Sequence, residues 1–402
     1  MQIAGIIIEY NPMHRGHRYL LEETRAQLGA DAAVIGVMSG NFVQRGDFAL
    51  VRKHARARAA VESGMDLVLE LPLPWAAASA ERFAAGGVQV LLGTGLVTDL
   101  AFGSECGDAA ALWRAAAALL NPKIDSLVRR ELLKGDSFAA ARQRAVSALL
   151  PAEDAALLGE PNNTLGIEYC KALLRRGSGV HPMTVKRKGM HHSGQGPQEG
   201  YAPATRIREA LRRGNREWAL AEMAPAMKAV YEAEETAGRA PVFLENCQRA
   251  VLAKLRSMTE AEFAALDEGR EGLYHRLYEA SRTACSVEAL CQAAKTKRYA
   301  YSRISRMLLW AYLGLAPADF PERVPYLRVL AANGTGRALL ARMRDTAALP
   351  VLTKPADVRL LPEPAQRLFA LEARATDLYT LAYPNLTAAH GGAEWREGPV
   401  IL

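Results

Sequence analysis

Over its first two hundred residues the chain alternates short apolar runs with amphipathic stretches, and this alternation limits the possible folds more than any other feature. Ile3 to Tyr10 reads as a buried strand and Tyr19 to Leu28 as a helix. Ala32 to Met38 reads as a second strand, followed by a helix from Val51 to Glu62 that carries Lys53, Arg56 and Arg58. "DLVLELP" at 66–72 gives a third strand, an Ala-rich stretch from Trp75 to about Leu92 a helix, and "TDLAFGSE" at 98–105 a fourth strand. After helical patterns between 109 and 176, "VHPMTVK" at 180–186 supplies a fifth. Short apolar runs separated by helical patterns predict βαβ units, hence an α/β fold with a parallel sheet covered on both faces.

From about residue 215 the alternation stops. "REWALAEMAPAMKAVYEAEETAG" and almost everything after it reads as helix, punctuated by Pro317, Pro321, Pro325 and Pro350. Two domains are expected, 1–215 and 216–402, the second mostly α-helical. A chain of 402 residues, half of them apolar, is long enough for such an arrangement. The net charge of +7 mildly favours a polyanionic partner. Cys106, Cys170, Cys247, Cys285 and Cys291 are odd in number and contain no C-x-x-C pair. They read as reduced thiols of a cytoplasmic protein, not as a disulfide framework or zinc site. The opening apolar run is too short for a signal peptide, and nothing approaches the length of a membrane span.

The four clearest strands each end in polar or turn-forming residues: Glu9-Tyr10-Asn11, Ser39-Gly40-Asn41, Glu70-Leu71-Pro72 and Gly103-Ser104-Glu105. Ligands of open α/β sheets bind outside such carboxyl ends. At the first of them, "EYNPMHRGHRYLL" places His14 and His17 around Gly16, where a strand turns into a helix. A metal needs at least a third protein ligand, and no H-E-x-x-H or Cys pair supplies one. Phosphate binding accounts for more of the residues. A helix starting near Gly16 or His17 aims N–H groups and a positive dipole end at the strand tip. Gly16 permits close backbone approach, Pro12 fixes the turn, and imidazoles at i and i+3 share one face. Histidines that merely cap the helix remain the competing reading.

Strand, His14-Arg15-Gly16-His17 and helix together resemble the H-x-G-H signature of the nucleotidylyl transferase superfamily. With "VMSGNFVQRGD", "GMDLVLELP", "FGSECGD", "PNNTLGIEY" and "KTKRYAYSRISRMLL" in this order, the chain resembles the bacterial tRNA(Met) cytidine acetate ligase family from residue 2 to about 355. The resemblance implies a Rossmann-like catalytic domain and ATP as co-substrate. It implies that acetate is activated as acetyl-adenylate and passed to N4 of the wobble cytidine in elongator methionine tRNA. A mixed anhydride with AMP supplies the leaving group that acetate lacks, leaving the protein to position reactants and stabilise charge. Mg²⁺ is expected with the triphosphate, without ligands that the sequence names.

Carried onto this sequence, the family's nucleotide-binding segment falls on Ile7, Ile8, Glu9, Tyr10, Asn11, Pro12, Met13, His14, Arg15, Gly16, His17, Arg18, Tyr19 and Leu20. The resemblance puts His14, His17 and Arg208 in catalysis and adds Gly103, Asn162 and Arg187 to the nucleotide contacts. Gly103 would lie under the nucleotide. Asn162 also reads as a helix N-cap, and Arg187 as part of a solvated basic run. "ATRIRE" at 204–209 stands where the superfamily has a Ser/Thr-rich turn before an arginine. Pro203-Ala204 departs from that pattern, which leaves the hydroxyl contacts of Thr205 open and keeps Arg208. Gln44, Arg45 and Lys53 are candidates for substrate or tRNA contact, although Asp47-Phe48 and Lys53-His54 replace the family's usual Glu-Pro and Lys-Trp.

For tRNA the expected surface is "KTKRYAYSRISR", with Lys295, Lys297, Arg298, Arg303 and Arg306, interleaved tyrosines and no acid. Basic groups neutralise phosphates and aromatic rings stack on unpaired bases. In a helix, part of this run, including Tyr299, Tyr301 and Ile304, has to face a core. Two other readings stay open: a nucleotidylyl transferase making a dinucleotide-type cofactor, and a catalytically silent RNA-binding protein. The residues themselves do not specify acetate, the tRNA or the oligomeric state.

Overall fold

The computed structural model describes residues 1–134, 138–188, 200–266, 272–297, 299–316 and 320–402. Its strands are β1 (Ile3–Ile8), β2 (Ala33–Ser39), β3 (Phe42–Val43), β4 (Asp47–Phe48), β5 (Leu67–Leu71), β6 (Asp99–Ser104), β7 (His181–Lys186), β8 (Leu327–Ala332), β9 (Val351–Leu352) and β10 (Val400–Ile401). Eight of them form one mostly parallel sheet in the order β10-β8-β5-β2-β1-β6-β7, with β9 on β8; β3 and β4 make a separate hairpin. Every residue of β1, β2 and β5 is buried, and apart from Ser39 and Glu70 near the carboxyl ends these strands are apolar runs without period-two alternation. Full burial of one such Ile, Val or Leu stabilises the fold by about 1.5–3 kcal/mol.

The predicted order of sheet strands and their helices in the first half is the observed one; the short hairpin β3–β4 lies where the sequence reads as a loop. Helix α1 spans Arg15–Leu28 and α2 spans Lys53–Glu62. The Ala-rich helix begins later than expected, at Ala80, after a single turn at Leu73–Ala76. Ser79 caps it there, its hydroxyl accepting the Arg82 N–H, and Gly86 lets the helix pack directly on the indole, where an added Cβ would lie 2.4 Å from Trp75 Cγ.

Three strands contradict the expectation of helix nearly throughout the second half. β8 pairs antiparallel with β5, and β9 and β10 pair parallel with β8. The sheet therefore draws strands from both sides of residue 215. "YLRVLAAN" is a short apolar run like the earlier strands, hidden in the sequence by long helices on either side. One sheet face packs on helices including Ala80–Gly93 and Pro161–Arg175. The other packs on α2 and the helix Pro225–Thr236. A third core lies among the later helices, and Phe42 and Phe48 of the β3–β4 hairpin insert into it. The loop after β2 is thus anchored in the helical half.

Candidate active site

The turn after β1 is built by backbone as much as by side chains. Tyr10 takes the left-handed region (φ 48°) and Asn11–Pro12 is cis. His14 then caps α1: its Nδ1 accepts the Gly16 N–H at 3.1 Å, while the His14 N–H donates to His17 Nδ1 at 3.2 Å. The two rings stack with centroids 3.7 Å apart. Because each Nδ1 accepts, each Nε2 carries the proton and is the nitrogen left for a ligand. The helix starts one to two residues before the expected place. The residue that caps it is the first histidine, so capping and ligand binding are not alternatives here.

Burial, reinforced by the nearby Arg187 guanidinium, pulls the His14 imidazole down to about 3. Burial, then His14 and Arg187, holds His17 well below its ordinary value. Both rings are neutral hydrogen-bond donors at physiological pH. They line a cleft with Gly16, Tyr19, Leu20, Gly103, Val185, Lys186, Arg187, Lys188 and Tyr201. Residues predicted from three separate segments, 14–20, 103 and 187, meet in this one place. What lies directly over Gly103 is Arg187, whose Cγ would be 3.3 Å from an added Cβ.

Lys188 and Tyr201 were not expected. The Lys188 Nζ stands 4.2 Å from the Tyr19 ring centre, and the Tyr201 ring is 5.9 Å from that of Tyr19. Nothing local in the sequence marks Tyr201; only the folded path of β7 brings it opposite α1. Among the other residues of 7–20, Ile7 and Ile8 are strand core, Met13 is fully buried, and Arg15 and Arg18 are not among the cleft-lining residues. The Arg18 side chain pairs with Glu22 instead.

Asn162 sits at the second position of the helix Pro161–Arg175, not at its N-cap, which is Glu160. The capping anion comes from another element. The Glu105 carboxylate accepts the Asn162 and Asn163 N–H groups at 3.1 and 2.7 Å and the Asn162 amide at 2.6 Å. Asn162 is thereby fixed at the carboxyl end of β6. Arg208, on the helix Ala204–Arg212, donates to the Asn11 carbonyl at 2.7 Å, so it reaches the histidine turn. Thr205 is exposed on the first turn of that helix. Ala224 donates its N–H to the Met13 carbonyl, so the second half of the chain also buttresses the turn.

Arg56 was read only as a helix charge. It is fully buried and donates to the carbonyls of Val51, Glu9, Ser39 and Gly40, tying together the carboxyl ends of β1 and β2. The expectation for Lys53 fails. Its Nζ is buried between Glu70 (2.7 Å) and Glu394 (2.6 Å), where no substrate reaches it. Gln44 is half-buried with its amide on the Ala78 carbonyl, and Arg45 is exposed. In the basic run, Lys295 and Lys297 are exposed, and Arg303 and Arg306 are half-buried on the helix Tyr301–Leu313. Arg298 lies outside the described residues. Tyr299 and Ile304 pack inward, whereas Tyr301 is exposed. Among the described residues no three or more His, Cys, Asp and Glu side chains form a metal cluster. No helix there is long and apolar enough to cross a membrane.

Known proteins share both this fold and this sequence. The model of the HIGH nucleotidyl transferase family matches residues 1–394. The tRNA(Met) cytidine acetate ligase of Acetivibrio thermocellus is 36% identical, with all of both chains covered. That of Syntrophomonas wolfei is 34% identical, over 100% of this chain and 99% of the relative. The crystal structure of Thermotoga maritima TmcAL bound with alpha-thio ATP superposes with a TM-score of 0.92 at 32% identity, covering both chains in full. The chain belongs to the HIGH nucleotidyl transferase family. Within it, full-length similarity places the chain among the tRNA(Met) cytidine acetate ligases.

Proposed function

We propose that this protein activates acetate with ATP as acetyl-adenylate and transfers the acetyl group to N4 of the wobble cytidine of elongator tRNA(Met). The observation that carries the reading is the stacked, neutral pair His14 and His17, each with Nε2–H uncommitted, on a cleft shared with Gly103 and Arg187. In this reading the first step is attack of an acetate oxygen on the α-phosphorus, with pyrophosphate leaving. Charge builds on phosphate oxygens beside the start of α1, where N–H groups and both Nε2 donors stabilise it. Arg208 approaches from the opposite helix as the cation for the leaving phosphates. Arg187 and Asn162 hold the rest of the nucleotide, along the segment from Ile7 to Leu20.

Mg²⁺ would arrive with the triphosphate and neutralise its charge, since the described residues offer no cluster to hold it alone. Catalysis is assigned to residues 1–215, and the grip on tRNA to the helices of 216–402, through Lys295, Lys297, Arg298, Arg303 and Arg306. The site of action is the cytoplasm, where the tRNA is. The names of full-length relatives and the ATP analogue bound by the Thermotoga maritima protein support this reading.

The test is to incubate purified protein with ATP, Mg²⁺, labelled acetate and tRNA(Met). Acetate-dependent ATP–pyrophosphate exchange and label on the tRNA are expected, with none when acetyl-coenzyme A replaces acetate and ATP. Pyrophosphate release with a different acceptor, and no label on tRNA, would overturn the reading in favour of a cofactor-making transferase.

A further inference from the structure

The strand order divides the reaction centre. β6 and β7 lie on one side of β1, and β2 and β5 on the other. The cleft-lining residues Gly103 and Arg187 come from the β6–β7 side. Glu9, which the sequence reading folded into the nucleotide segment, is tied to the β2 side. Its Oε1 accepts the Gln44 N–H at 2.6 Å and the Ser39 hydroxyl at 3.5 Å. Oε2 takes no hydrogen bond from the described residues.

A carboxylate is a poor partner for a triphosphate, because both are anionic and neither donates. The charges of Arg208, of Arg56 on α2 and of Arg45 in the loop act on it, and Arg56 also donates to the Glu9 backbone carbonyl. Burial raises the affinity of this carboxyl for a proton, opposed by the Gln44 amide and by the three arginines.

Resting on the acetyl-adenylate reading above, we infer that Glu9 is the proton acceptor of the transfer half-reaction. N4 of the cytidine attacks the acetyl carbonyl carbon from the β2 side, and an N–C bond forms. The C–O bond to phosphate breaks, AMP leaves with the electron pair, and one N4 proton passes to Glu9 Oε2. The exocyclic amine of cytosine is weakly nucleophilic, so removing its proton as the bond forms is where a general base contributes most. The first half-reaction releases no proton that needs such a base, since acetate attacks as an anion.

The experiment separates the two halves in Glu9→Gln, whose amide oxygen still accepts the Gln44 N–H. Acetate-dependent ATP–pyrophosphate exchange, which the place of Glu9 in the nucleotide segment also affects, is expected to fall at least about tenfold less than transfer does. Hydroxylamine, a strong nucleophile, should still trap the acetyl group as hydroxamate, slowed no more than exchange is. Transfer to tRNA should fall by about 100-fold or more. If Glu9→Gln does not fold, Glu9→Asp carries the test: its shorter carboxylate should slow transfer selectively and leave exchange in place. Unchanged transfer, or exchange and transfer lost together, would overturn the role, the second result making Glu9 a nucleotide or Mg²⁺ contact. Absence of exchange in the wild type would instead overturn the acetyl-adenylate reading itself.

Discussion

An imidazole whose Nδ1 accepts from the backbone has one nitrogen left, and that nitrogen must donate. His14 is in this state, and burial keeps it there: folded, it takes a proton near pH 3, against 6.5 when free. Because the folded value is depressed, its contribution to stability is whole above pH 6.5. It is lost as pH falls from 6.5 towards 3, at about 1.4 kcal/mol per pH unit. His14→Asn keeps a good N-cap acceptor for the Gly16 N–H but has neither the titration nor the Nε2 donor. Denaturant unfolding across pH 4–7 should show a flatter acid limb in this variant, and pyrophosphate exchange at pH 7 should fall by about 100-fold or more. An unchanged acid limb would mean that another group accounts for the acid sensitivity. This turn was readable in the sequence because its residue types, spacing and place after a strand all carry chemistry. Tyr201 and Arg56 were not readable: each acts through partners far along the chain, and neither lies in a local pattern that distinguishes it.

Among the elements, the loop joining β3 to β4 packs hard against a helix of the second half. Gly46 has φ 76°, and a Cβ there would lie 2.4 Å from the Arg306 backbone nitrogen and 2.5 Å from the Ser305 carbonyl carbon. These are backbone atoms, so a side chain would have to push the whole helix Tyr301–Leu313 away. Gly46→Ala should lower unfolding free energy by at least about 1–2 kcal/mol from the left-handed conformation alone. If the helix guides tRNA to the site, transfer should fall further than pyrophosphate exchange; equal rates in both assays would mean that the contact is only structural. The strands of the first half were legible because continuous apolar runs between helices have one good solution, a two-sided parallel sheet. The antiparallel strand β8 escaped because its run of six is bounded by helical patterns, and periodicity does not say which edge a strand will join.

At the scale of the molecule, a buried ionic cluster joins distant parts of the chain. Lys53 and Arg328 meet Glu70 and Glu394, and Thr376 donates to Glu394. Burial, then the Glu70 charge beside it, raises the affinity of the Glu372 carboxyl for a proton, which lightens the negative charge set against the two cations. Lys53→Met would leave those carboxylates with Arg328 alone, and should cost about 3–5 kcal/mol in denaturant unfolding. A loss below about 1 kcal/mol would show that water or rearrangement replaces the ammonium. Lysine and glutamate that far apart in sequence look like ordinary surface charges, which is why Lys53 was misread as a substrate contact.

The antiparallel pairing of β5 with β8 also bears on how the protein is made. β5 leaves the ribosome about 250 residues before its neighbour β8 exists. At roughly 5–20 residues per second, that interval lasts on the order of tens of seconds. Throughout it the growing sheet has an apolar strand at its open edge, the kind of edge that pairs with other chains. Its protection during synthesis has to come from outside the finished fold, so yield in the cell should depend on chaperone capacity and translation speed more than the stability of the completed enzyme suggests.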